Sequence, residues 1–117
     1  MPRITGFILL PEAAEALHEA RLHIRVENVG RADAPARLLG SCSIDGITAE
    51  QRLAGQVPFA LDVAAPGRGA CAIRAHLDVD RDGVVGPGDY VTAEHISVPM
   101  DDLLTPVRVA LEQVRRR

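Results

Sequence analysis

The chain has 117 residues, 47% of them hydrophobic and 25% charged, with a formal net charge of -3; this is the size and balance of one soluble domain able to bury a core without disulfides or metal. The acid excess and the scarcity of aromatic platforms weigh against a nucleic-acid partner, and no apolar run approaches the length needed for a transmembrane segment. All 13 basic residues are Arg, a bias typical of GC-rich bacterial genomes, and Phe7, Phe59 and Tyr90 are the only aromatics, so the core has to be aliphatic.

In chain order, the stretch from Arg3 to Leu9 is a candidate strand. Pro11 to His18 has the composition of a helix, with Pro at a plausible first position and acids in the first turn; a two-turn helix and an ordinary loop both fit. Leu22, Ile24 and Val26 then alternate with His23, Arg25 and Glu27, the two-fold period of a strand with one face on a core and one in water. Arg37 to Ile44 is a further candidate. The same period recurs at Val57, Phe59, Leu61 and Val63, at Cys71, Ile73, Ala75 and Leu77, and at Val107, Val109 and Leu111, with a last candidate from Tyr90 to Val98. Asn28-Val29-Gly30, Asp45-Gly46, Pro66-Gly67 and Pro87-Gly88 supply turns between them. About seven short strands imply an all-β fold, a small antiparallel β-sandwich in which two sheets cover each other's apolar faces, with an open barrel as the runner-up. Residues 1–117 are expected to form a single domain.

Cys42 and Cys71 fall in strand-like segments, where small buried thiols are expected; whether they pair is open at this stage. The first residues lack the charged, apolar and small-residue pattern of a secretory signal. The expected location is cytoplasmic as the sequence stands, and periplasmic if a longer precursor carries an export signal.

One segment carries chemistry. Asp78-Val79-Asp80-Arg81-Asp82-Gly83-Val84-Val85-Gly86-Pro87-Gly88-Asp89 places acids at positions one, three, five and twelve of a twelve-residue loop and Gly at position six, the spacing of a calcium loop. Ca2+ takes six to eight oxygens at about 2.3–2.6 Å, so a short loop must turn alternate side chains inward and add a backbone carbonyl. Asp78, Asp80 and Asp82 are expected to give side-chain oxygens, Val84 its carbonyl, and Asp89 the closing carboxylate, while Gly86 leaves room for water. Gly83 stands where the chain reverses, at a position where φ is often positive. The competing explanation is a solvated turn, since Asp and Gly favour turns, but turn preference does not account for five constrained positions. Ca2+ is favoured over Mg2+, which keeps its waters. The following Tyr90 to Ile96 reads as a strand, so the loop lies between two β-strands.

His76 precedes the loop on the polar side of its strand and His95 lies in the next strand. Together with Glu94 or Asp78 they could hold a transition metal, but exposed strand histidines are the simpler expectation, and no nucleophile elbow or phosphate loop accompanies them. His18 and His23 carry no signal of their own. Asp101-Asp102 reads as a turn pair rather than an added ligand.

The loop spacing resembles the calcium loops of dockerin modules, which also end in Asp, over these twelve residues. The stretch from Val26 to Ala36, with its Ala-Asp-Ala-Pro turn at 32–35, and the later Gln56-Val57-Pro58-Phe59 resemble the YbaY-type bacterial lipoproteins, grouped with the type III secretion lipoprotein chaperones. That resemblance extends from Ile4 to Val98 and implies a small β-sandwich. The lipid-attachment cysteine and signal of those lipoproteins are not among the matching features. The functional expectation is a non-enzymatic, calcium-binding module that meets an unknown protein or small ligand. A secretion-associated accessory or chaperone protein is the alternative, and a metal-dependent hydrolase using His76 or His95 the second alternative.

Overall fold

In the computed structural model, residues 3–11, 19–28, 37–64, 71–92, 96–98 and 106–114 are described. Their strands are β1 (Arg3–Leu9), β2 (Arg21–Asn28), β3 (Arg37–Asp45), β4 (Gln56–Asp62), β5 (Cys71–Asp78), β6 (Tyr90–Val91), β7 (Ile96–Ser97), β8 (Val107–Val109) and β9 (Glu112–Gln113), with one helix, α1 (Ala49–Ala54), between β3 and β4. The expected all-β class is what forms. A three-stranded sheet runs β4-β1-β8 and a six-stranded sheet runs β3-β2-β5-β6-β9, with β7 also on β5. All pairings are antiparallel except β1 with β8, which is parallel.

The alternating rows explain this packing. Ile4 and Ile8 of β1, Leu22, Ile24 and Val26 of β2, Val57 of β4, and Ile73 and Leu77 of β5 are fully buried. They belong to one cluster shared by both sheets, and truncating one such side chain to Ala costs about 2–5 kcal/mol. The core is aliphatic as the composition requires, with Phe59 and Tyr90 its two aromatics. Gly6 allows β1 and β8 to approach: a Cβ there would overlap the Val107 carbonyl and press on the Phe59 ring. Glu27 departs from the expected pattern, being buried although it stands in the polar row. The β2–β3 register shifts between Val26 and Glu27, and the carboxylate forms an ion pair with Arg74, Oε1 to Nε 3.0 Å, which offsets the cost of burying it.

Three details differ from the sequence expectation. The row Val107, Val109, Leu111 is not one strand: β8 joins the small sheet, and the chain then crosses to the large sheet as β9. Tyr90 to Val98 likewise contributes two short strands on β5 rather than one long one. Helix α1 was not expected, although Thr48 caps it by accepting the Gln51 N–H at 3.1 Å while Gln51 Oε1 accepts the Thr48 N–H at 3.0 Å, a capping box written in Thr48-x-x-Gln51. Residues 12–18 of the helix expected at Pro11 to His18 and the whole Ala-Asp-Ala-Pro turn at 32–35 lie outside the described residues. No helix among the described residues is long and apolar enough to cross a membrane.

Cys42 and Cys71 are both free. They flank β2 on opposite sides, opposite Ile24 and Asn28, and four residues of strand separate them by about 13 Å along its axis, beyond the reach of a disulfide. Burial pushes both thiols above the ordinary thiol pKa.

Candidate metal centre

On β5, Ile73, Ala75 and Leu77 face the core, so Arg74, His76 and Asp78 form its outer row. Antiparallel pairing sets Arg74 opposite Arg25, His76 opposite His23 and Asp78 opposite Arg21. The chain then leaves the sheet at Asp78 and returns at Tyr90, so the loop does lie between two strands. Three positive φ values make the reversal possible: Arg81 at 60°, Gly83 at 79° and Gly88 at 94°. The expected role of Gly83 holds for its conformation; a Cβ there would meet no atom within 4 Å, so it is φ and not crowding that favours glycine.

This path brings the four predicted acids together. Asp78, Asp80, Asp82 and Asp89 each offer a carboxylate oxygen, and the four oxygens lie within 4.8 Å of one another. Asp78 is fully buried and Asp89 is 2% exposed, while Asp80 and Asp82 face solvent. Asp89 closes the loop as a clasp: its Oδ1 accepts the Val79 N–H at 3.0 Å, and its Oδ2 accepts the Gly86 N–H at 3.2 Å and lies 2.8 Å from His76 Nε2. The Asp89 carbonyl accepts the Val114 N–H at 2.8 Å and the Gly88 N–H donates to the Val114 carbonyl at 3.1 Å, tying the loop to the segment that follows β9. Asp82 Oδ1 accepts the Val84 N–H at 3.0 Å, a local turn bond. Val84 stands in the loop with its side chain exposed.

Asp78 is the unusual member. Its Oδ2 accepts the Gly83 N–H at 2.8 Å, but its Oδ1 is buried with no hydrogen-bond partner among the described residues. An orphaned carboxylate oxygen inside a protein is costly, and a cation facing it removes that cost. Burial works against ionising Asp78, yet the Gly83 N–H, the Asp80 carboxyl, the His76 ring and the Asp82 N–H outweigh it and hold its pKa below the ordinary value. Asp80 moves the other way: desolvation, then the neighbouring Asp78 and Asp82 carboxyls, raises its pKa. Ionised carboxylates this close repel one another, and a hard cation that collects carboxylates suits this donor set.

Beside the loop lies a groove of about 610 Å³, walled by His23, His76, Ser41, Ser43 and Arg74 on the sheet and by Gly83 and Val85 on the loop. The ring facing His76 is that of His23, with centroids 5.6 Å apart; His95, the partner considered from sequence, lies outside the described residues, as do Glu94 and the Asp101-Asp102 pair. His23 was missed because the pairing of β2 with β5 spans some fifty positions of chain and leaves no local trace.

No family model and no curated protein matches the chain, so the YbaY-type resemblance rests on the residues quoted for it. Among solved structures, an alternative pilotin from the type II secretion system of Vibrio cholerae is similar, with a TM-score of 0.60 over 96% of this chain and 97% of that one at 18% identity. The likeness is one of fold.

Proposed function

We propose that this protein is a non-enzymatic accessory protein of a secretion system, acting by binding a protein partner. The observation that carries this is the end-to-end correspondence with a pilotin, 96% of one chain on 97% of the other. The test is made in cells. Deleting the gene in its native host should deplete proteins from the culture medium, with recovery on re-expression. An unchanged set of secreted proteins would rule the role out.

The acid loop supports a second element: one Ca2+ held by Asp78, Asp80, Asp82, the Val84 carbonyl and Asp89. The buried, unpartnered Oδ1 of Asp78 favours it. In this role Ca2+ is structural, fastening β5, β6 and the chain after β9 at one end of the large sheet and giving the adjoining loops a fixed shape for the partner. Metal-stripped protein should melt several degrees higher when Ca2+ is restored, and Mg2+ at the same concentration should act more weakly because it demands a tight octahedron. Equal melting temperatures with Ca2+ and with chelator would remove this element and leave the accessory role standing.

A further inference from the structure

We propose a second metal site on the outer face of the large sheet, in which His23, His76 and Asp78 hold one transition-metal ion of the Zn2+ class. It shares Asp78 with the calcium loop but does not depend on that loop binding Ca2+.

The three residues come from adjoining strands in register, His23 directly opposite His76 and Asp78 two residues further along β5. One ligand atom from each lies within 4.8 Å of the other two. Tetrahedral Zn2+ at about 2.0–2.1 Å from its ligands sets those ligands about 3.3 Å apart. His23 Nε2 is already 3.7 Å from Asp78 Oδ2, so a few tenths of an ångström close that edge, and the His23 side chain, about a third exposed, has room to move. Imidazole nitrogens select this metal class over Ca2+ and Mg2+, which prefer an all-oxygen shell.

The surroundings are those of a metal-binding pair. A ligating histidine commonly engages a hydroxyl, carbonyl or carboxylate through its other nitrogen, which fixes the tautomer and the ring orientation. His23 does so through Nδ1, 3.1 Å from Ser43 Oγ, leaving Nε2 toward Asp78. His76 is anchored by the buried carboxylate of Asp89, 2.8 Å from its Nε2. Asp78 is fully buried; its Oδ2, the oxygen nearer His23, also accepts the Gly83 N–H, while its Oδ1 lacks a hydrogen-bond partner among the described residues, so the carboxylate is under-satisfied. His23 and His76 also line the groove, through which water could complete the coordination of a bound ion.

The experiment is a calorimetric titration of metal-stripped full-length protein with Zn2+, repeated on His23→Gln, His76→Gln and Asp82→Ala, with Co2+ as a spectroscopic probe. One Zn2+ per chain is expected, weakened by more than about tenfold in each histidine variant and retained in Asp82→Ala, which removes an acid of the calcium loop only. Bound Co2+ should show the intense visible bands of a tetrahedral site without thiolate charge transfer. In the wild type, the imidazole resonances of two histidines should shift with Zn2+ by NMR, a readout that needs no variant to fold. The site is wrong if Zn2+ binding survives His23→Gln with His76→Gln, if the shifting resonances belong to other histidines, if thiolate bands appear, or if no Zn2+ binds. Failure of the calcium element shows separately, as absent Ca2+ binding in the wild type.

Discussion

Two strands, one in each sheet, end on an aspartate in opposite ways. In the small sheet, β4 ends at Asp62, which stands opposite Arg3 in register and receives its Nε at 3.0 Å, half exposed. In the large sheet, β5 ends at Asp78, opposite Arg21, but the Arg21 guanidinium goes to Asp45 on the other flank, Nε to Oδ1 at 2.6 Å. Asp78 is thus buried beside three other carboxylates with no Arg paired to it among the described residues. A strand-end acid that the chain neutralises at the surface adds little to stability; one that is buried and short of a partner among the described residues is where the proposed cation would act.

The largest effect expected from this contrast is at Asp78. Asp78→Asn keeps an acceptor for the Gly83 N–H but loses the charge, so it should abolish the rise in melting temperature that Ca2+ gives the wild type, about 2.7 kcal/mol at a hundredfold excess over the dissociation constant. A preserved rise, measured by calorimetric melting, would break the contrast. Next comes Gly83→Ala: open space but φ of 79° should destabilise the loop by about 1 kcal/mol, read as a lower denaturation midpoint in Ca2+.

Asp80→Asn should have a smaller effect with an informative sign. The pKa of Asp80 is raised in the folded state, so its ionised form opposes folding of the metal-free protein above that pKa, and the penalty fades as pH falls through it. The variant should therefore melt slightly higher than the metal-free wild type at neutral pH, with the difference shrinking in acid. Asp78 contributes oppositely: its depressed pKa gives stability present above the ordinary carboxylate value and lost as pH falls through the folded one. A metal-free Asp80→Asn that melts lower at pH 7 would overturn the assignment of repulsion within the loop. The smallest effect belongs to Asp62→Ala, which should leave the melting temperature nearly unchanged with or without Ca2+, because its pair with Arg3 is exposed.

How much of this was legible from sequence depends on the range of the interaction. The period-two rows of β2, β4 and β5 are local and mark the strands directly, and the loop acids with Gly83 are local too, so the cluster of Asp78, Asp80, Asp82 and Asp89 could be read before any fold was known. What could not be read was pairing. That His23 faces His76, that Arg21 serves Asp45 and not Asp78, and that Val107 to Leu111 changes sheets all depend on register between distant segments, which alternation leaves undetermined. Helix α1 was legible in principle through its capping box, but its six residues include none that are buried, so it shows no amphipathic period to attract attention.

The most direct measurement is a calorimetric titration of the metal-stripped wild-type protein with Ca2+, run beside Asp78→Asn. A cation completing the shell around Asp78 should give one binding event per chain in the wild type and none in the variant, with a weaker Mg2+ response. No heat of binding in the wild type, together with an unchanged melting temperature in millimolar Ca2+, would contradict the account.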